Sequence, residues 1–172
     1  MLGTVVVGLT LGWNGVSGNI HSHIRSTEDR VRVLIDYGYH HSATFRGLVA
    51  HLEASDVIVY VRTSPAVSGA SRGGTMLIAT AGGHRYLMVS LSDCLSFAAL
   101  VGLLGHELQH AVEIADARGV VDEATLISFY QRVGTGRRNE KGRWMFETNA
   151  ASEVGHRVVR EIPTRPRAIA QD

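Results

Sequence analysis

The 172-residue chain predicts an α+β fold: a small antiparallel sheet of about three strands packed with one long apolar helix and several further helices. Three observations carry this. Residues 57–61, 75–81 and 84–91 are runs of apolar and β-branched residues bounded by polar or glycine-rich punctuation, which is strand patterning. Gly82-Gly83 alone separates the last two, a two-residue hairpin signal. Residues 95–117 then form the most apolar stretch of the chain, too long for a strand and suited to a buried helix.

Taken in order, residues 1–19 are an unassigned lead segment. The first dozen are apolar and glycine-rich, about the length of a signal core, but they have neither a basic start nor a clear cleavage site, so an exported and a cytoplasmic protein are both open. Ser26-Thr27-Glu28-Asp29 reads as a helix start, with a hydroxyl cap and acids in the first turn, followed by Val31, Val33, Leu34 and Ile35 and ended by Gly38. A second helix starts at Ser42 and carries Phe45, Leu48, Val49 and Leu52; His40, His41 and His51 around it read as surface residues. After the strand at 57–61, residues 65–74 form a Ser-, Gly- and Ala-rich loop. Ser92 or Asp93 can cap the long helix of residues 95–117, which Gly119 and Val120-Val121 break. Asp122-Glu123 starts a short helix through Leu126, Ile127, Phe129 and Tyr130. Residues 134–142 read as a polar, glycine-punctuated loop, and a last helix spans 144–161 until Pro163 stops it. Residues 164–172 form a tail. With no repeat and no linker, residues 20–163 make one domain.

Composition narrows the function classes. A hydrophobic content of 45%, a charged content of 19% and a net charge of +1 describe an ordinary globule and predict no nucleic-acid partner. No run reaches the roughly 18 apolar residues of a membrane span. A lone Cys94 excludes an internal disulfide framework and reads as a core residue. The basic stretch Arg137, Arg138, Lys141, Arg143 reads first as a solvated loop and second as a site for an acidic partner. Oligomeric state is not readable.

One motif carries chemistry: His106-Glu107-Leu108-Gln109-His110, in the middle of the long apolar helix. At about 100° per residue, His106 and His110 lie one turn and about 40° apart, so both imidazoles can reach one ion. Glu107 points about 100° from His106, within reach of a water on that ion. Two nitrogen ligands, an open position and a carboxylate base make the arrangement of a zinc hydrolase. His and Glu are costly to bury unless satisfied, and here they interrupt the most apolar segment. Candidates for a third ligand are Glu113, on the same helix face about 20° from His106; Asp116; and Glu147. Glu113 is also placed to hydrogen-bond a ligand histidine.

Strands, then a helix with His-Glu-x-x-His, then a helix offering a glutamate: this order resembles the zincin metallopeptidases, and among them a compact gluzincin. The likeness rests on residues 106–110 and on Phe146-Glu147-Thr148-Asn149-Ala150-Ala151. The chain also resembles small bacterial proteins with a His-Glu-Leu-x-His-Ala segment and a trailing Phe-Glu-Thr segment. The resemblance implies a zincin-like fold and a zinc cofactor held by His106, His110 and Glu147. It implies Glu107 as general base, a peptide or protein substrate, and an edge-pairing strand at residues 85–90. Glu113 would support a ligand, and an oxyanion donor would come from among Tyr130, His156, Arg157, His84 and Tyr86. Two departures stand out. Glu113 occupies the place of the glycine in the metzincin motif, which removes the turn that Asp116 would need. Ala151 stands where gluzincins such as thermolysin place an aspartate that supports a ligand histidine. A zincin-like binding or regulatory module without efficient turnover is the alternative.

Overall fold

The computed structural model describes residues 21–64, 72–138, 142 and 144–163. The lead segment 1–19, the tail 164–172, most of the 65–74 loop, and Lys141 and Arg143 of the basic stretch lie outside the described residues. The fold is α+β, with five helices, a four-stranded mixed sheet and a two-stranded sheet among the described residues.

The chain enters through β1 (Ile24–Arg25), α1 (Asp29–His41) and α2 (Ala43–Glu53). Ser42 caps α2 as its hydroxyl oxygen accepts the Phe45 N–H at 2.9 Å. Ser26 does not cap α1. Glu28 is the N-cap residue, and its carboxylate reaches away to the backbone N–H and hydroxyl of Thr63.

β2 (Val57–Thr63), β3 (Gly73–Ala81) and β4 (His84–Leu91) follow. The expected hairpin between β3 and β4 is present: Gly82 and Gly83 have φ of 58° and 79°, the left-handed pair that a tight two-residue turn requires. The expected all-antiparallel sheet is not. Strand order is β1-β2-β4-β3, and β1, β2 and β4 run parallel. The chain leaves β2, runs out to the far edge as β3, and folds back so that β4 inserts beside β2. Sequence spacing alone does not encode that crossover. It also corrects the edge-strand expectation. β4, which includes residues 85–90, is paired on both sides, and the free edge beside the long helix belongs to β3.

β4 alternates between core and surface, sending Arg85, Leu87, Val89 and Leu91 inward. Leu87, Val89 and Leu91, with Val57, Val59 and Val61 of β2, meet Leu100, Leu104, Leu108 and Ala111 of α3 (Phe97–Asp116) in a continuous core. Ser96, not Ser92 or Asp93, is the N-cap residue of α3, without a side-chain cap bond. Arg85 is the largest fully buried side chain. Its guanidinium pairs with both oxygens of Asp56, at 2.8 and 2.6 Å, and donates to the carbonyls of Ile114, Ala115, Ala117 and Val120. A buried cation thereby adds donors to carbonyls at and just past the end of α3, of which those of Ile114 and Ala117 also accept a backbone N–H.

α4 (Glu123–Val133) starts at a capping box of Asp122 and Thr125. The next segment departs from expectation. Residues 135–138 form β5 (Thr135–Arg138), and 144–147 form β6 (Trp144–Glu147), paired antiparallel. The last helix, α5 (Asn149–Glu161), begins five residues later than the sequence pattern suggests, at N-cap Thr148. Aromatic Trp144 and Phe146 favour the strand: they stack with nearly parallel rings 5.4 Å apart, and Phe146 stacks in turn on Tyr130. α5 then packs along α3, Val158 against Gly105 and Val159 against Gly102. No described helix is long and apolar enough to cross a membrane.

Candidate metal centre

His106 and His110 lie one turn apart on α3, as the spacing requires, with ring centroids 4.9 Å apart. α5 approaches closely here because Gly155 has no side chain; a Cβ would press on the Cβ of His106 at 3.1 Å. Glu147 arrives from the end of β6, immediately before α5, rather than from the helix itself. Its Oε1 lies 3.3 Å from His106 Nε2 and 3.9 Å from His110 Nε2. One ligand atom from each of these three residues falls within 4.8 Å of the others, a group able to hold a metal ion. Bond lengths of about 2.0–2.2 Å to zinc set ligand–ligand separations near 3.4 Å in a tetrahedron, so the donor set fits with small adjustments.

Other candidates face elsewhere. Asp116 is exposed and paired with His51 at 2.8 Å. Glu113 lies behind His110: its Oε2 accepts from His110 Nδ1 at 2.9 Å, and its Oε1 accepts the Thr148 hydroxyl at 2.7 Å. This bond sets the His110 tautomer and turns Nε2 toward Glu147. Burial alone would lower the His110 pKa, but the Glu113 carboxylate together with the charges of Glu107 and Glu147 outweighs it and the net shift is upward. Burial likewise pushes Glu113 up, and its bonds to His110 and Thr148 bring it below the ordinary range. His106 goes the other way, lowered by burial against the partial offset of Glu147. Among the described residues no side chain bonds His106 Nδ1, and Ala151, four residues after Glu147, is buried.

Glu107 is buried at 4% exposure and still lines the cavity above the three ligand atoms. The Thr75 hydroxyl donates to its Oε2 at 2.8 Å. Burial pushes its carboxyl up to about 7, against the pull of His110 and Thr75.

Of the expected oxyanion donors, Tyr130 alone lines the cavity. Its hydroxyl reaches the His110 carbonyl and Glu113 Oε2, both at 3.2 Å. Burial raises that phenol, and the Glu113 charge adds to the effect. His156 and Arg157 are exposed on α5 and do not line the cavity. His84 and Tyr86 sit at the start of β4, while the Leu91 end of that strand pairs with Gly73 beside Glu107.

The cavity measures about 680 Å³. One wall is the free edge of β3, from Gly73 to Leu77; the other is built by Leu126, Ile127 and Tyr130 of α4 with Trp144 and Phe146 of β6. Arg137 lies at its border, while Arg138 stacks over the Trp144 ring, 4.7 Å from its centroid. Cys94, expected in the core, is exposed.

Sequence reading missed Thr75, Gly73 and Thr148. Thr148 had a usable signal, a hydroxyl residue at a helix start, obscured because the helix was extended over 144–147. Thr75 had none, since only the fold brings it to Glu107. The chain matches no known family model, no curated protein and no solved structure.

Proposed function

We propose that the protein is a zinc-dependent hydrolase, a metallopeptidase of zincin type. The observation that carries this reading is the convergence of His106 Nε2, His110 Nε2 and Glu147 Oε1 on the floor of a large cavity, with buried Glu107 beside them. His106, His110 and Glu147 would hold the zinc, which supplies an activated water and polarises a carbonyl when bound. Glu107 takes the water's proton and returns it to the leaving amine. Its raised pKa suits a group that must both accept and donate near neutral pH. Glu113 keeps His110 oriented through Nδ1.

An extended chain is the ligand shape best matched to the walls. The free edge of β3 offers backbone N–H and C=O groups to a peptide lying along it. Opposite, Leu126, Ile127, Trp144 and Phe146 offer apolar surface to its side chains. A metal-binding module without efficient turnover is the second reading, and it draws on the unsupported Nδ1 of His106 and on Ala151.

One experiment separates them. Zinc-loaded protein and its Glu107→Gln variant are assayed on a peptide library. The hydrolase reading expects cleavage by the first and a loss of about 10²–10⁴-fold in the second, with zinc retained by both. Zinc binding with no cleavage of any peptide favours the binding module. Equal cleavage by both forms removes Glu107 from the chemistry.

A further inference from the structure

The Glu107 carboxylate is held from outside its own helix. Thr75 lies on β3, whose free edge lines the cavity, and its hydroxyl donates to Glu107 Oε2 at 2.8 Å. The same hydroxyl lies 3.2 Å from the Glu107 carbonyl oxygen, so it also touches the helix backbone. Two residues earlier on the same face of the strand, Gly73 leaves a gap that the other carboxylate oxygen fills. A Cβ on Gly73 would clash with Glu107 Oε1 and with Leu103. Alternation along a strand puts residues 73 and 75 on one side, so both act on Glu107 together.

We propose that Thr75 is a positioning residue for Glu107, with the space at Gly73 completing the cradle, so that β3 fixes the orientation of the carboxylate in the cavity shared with the three ligand residues. The inference rests on the hydrolase reading for its catalytic consequence, but its geometric content does not. A glutamate side chain has several rotamers and two equivalent oxygens. Pinning Oε2 with a directional O–H bond, with Oε1 seated over Gly73, holds the carboxylate in one orientation in the cavity wall. Donation from Thr75 persists whether Oε1 is bare or protonated, so the carboxyl need not swing during a proton transfer. Geometry held by packed neighbours is the general condition for efficient proton transfer in a site. The same strand would bind an extended substrate, so base and substrate would be registered to one element.

The test compares wild type with Thr75→Val, which keeps the shape and removes the hydroxyl, and Thr75→Ser, which keeps the hydroxyl. All three are loaded with zinc, and metal content is measured. Two readouts are taken. The first is peptide hydrolysis: kcat is expected to fall about tenfold or more in Thr75→Val, as for loss of a hydrogen bond to a charged group, with KM little changed and recovery in Thr75→Ser. The second needs no turnover. Acetohydroxamate chelates zinc and hands its hydroxyl proton to a nearby acceptor, so its affinity reads the placement of Glu107. It is expected to weaken severalfold in Thr75→Val and to recover in Thr75→Ser, with zinc content the same in all three. Equal hydroxamate affinity across the three proteins overturns the inference, as does a Thr75→Ser protein as impaired as Thr75→Val. Absence of hydroxamate binding by zinc-loaded wild type overturns it too, because no proton acceptor then faces the metal. Absence of peptide cleavage by wild type, with the hydroxamate pattern intact, overturns the hydrolase reading and leaves the positioning role standing.

Discussion

Helix α3 meets two polar clusters, and their bonds are organised in opposite ways. At its C-terminal end, Arg85 is saturated: its guanidinium reaches two carboxylate oxygens and four carbonyls, and nothing is left over for a ligand. In its middle, His106 Nε2 and His110 Nε2 come within 3.3 and 3.9 Å of Glu147 Oε1, and the three residues open onto a cavity. The first cluster is complete without a partner. The second is a group of three side chains that could hold a cation. Buried polar groups are normally satisfied, so a cluster that converges without closing is where function is best sought.

The largest expected effect lies at the saturated cluster. Arg85→Met strands Asp56 and removes the donor from four carbonyls at and just past the end of α3, and breaking a buried pair of this kind costs about 3–5 kcal/mol. Because Asp56 is partly exposed, the lower end of that range is expected. Urea denaturation reads it. A melting curve like that of wild type would show that the cluster is not structural and would erase the contrast.

A smaller effect is expected behind the converging cluster. Glu113→Ala frees His110 Nδ1 and should weaken zinc binding by about 10–100-fold, as for other partners of metal ligands, while the protein remains folded. Competition with a chromogenic chelator measures it. Zinc affinity equal to wild type would show that His110 needs no orienting partner.

The smallest effect is a pH dependence at Asp56. Arg85 holds the Asp56 carboxyl below its usual value of 3.8, chiefly through their hydrogen bonds. A lowered folded pKa gives stability that is present above 3.8 and lost as pH falls through the folded value. Wild type should therefore exceed Asp56→Asn in stability near neutral pH, and the gap should close in acid. A gap that widens as pH falls would contradict the pairing.

The two clusters also differ in how far the sequence reveals them. His106 and His110 are legible because helical spacing fixes their relation, and residues 97–116 read clearly as a helix. Ser42 and Asp122 mark their helix starts by hydroxyl and carboxylate chemistry that acts within three residues. Arg85 was invisible: an arginine in an alternating strand reads as a surface residue, and its partners lie about 30 residues away. The parallel pairing of β2 and β4 was hidden for the same reason, since a crossover is a property of the whole chain. Residues 144–147 were misread because four residues are too few to separate a helical period from an alternating one. Glu147 still reaches the histidines from the strand end, so its element was misassigned but not its neighbourhood.

The central proposal is that the converging cluster holds zinc through three residues on two separate elements. Equilibrium dialysis of wild type and Glu147→Ala against buffered zinc, followed by elemental analysis, tests it most directly. Glu147 is half-exposed, so its removal should leave the metal-free fold almost unchanged, within about 0.5 kcal/mol as for ordinary surface changes. The account expects close to a single zinc per wild-type chain and zinc binding weakened strongly in the variant. Wild type that takes up no zinc, or a variant that holds zinc as tightly as wild type, would contradict it.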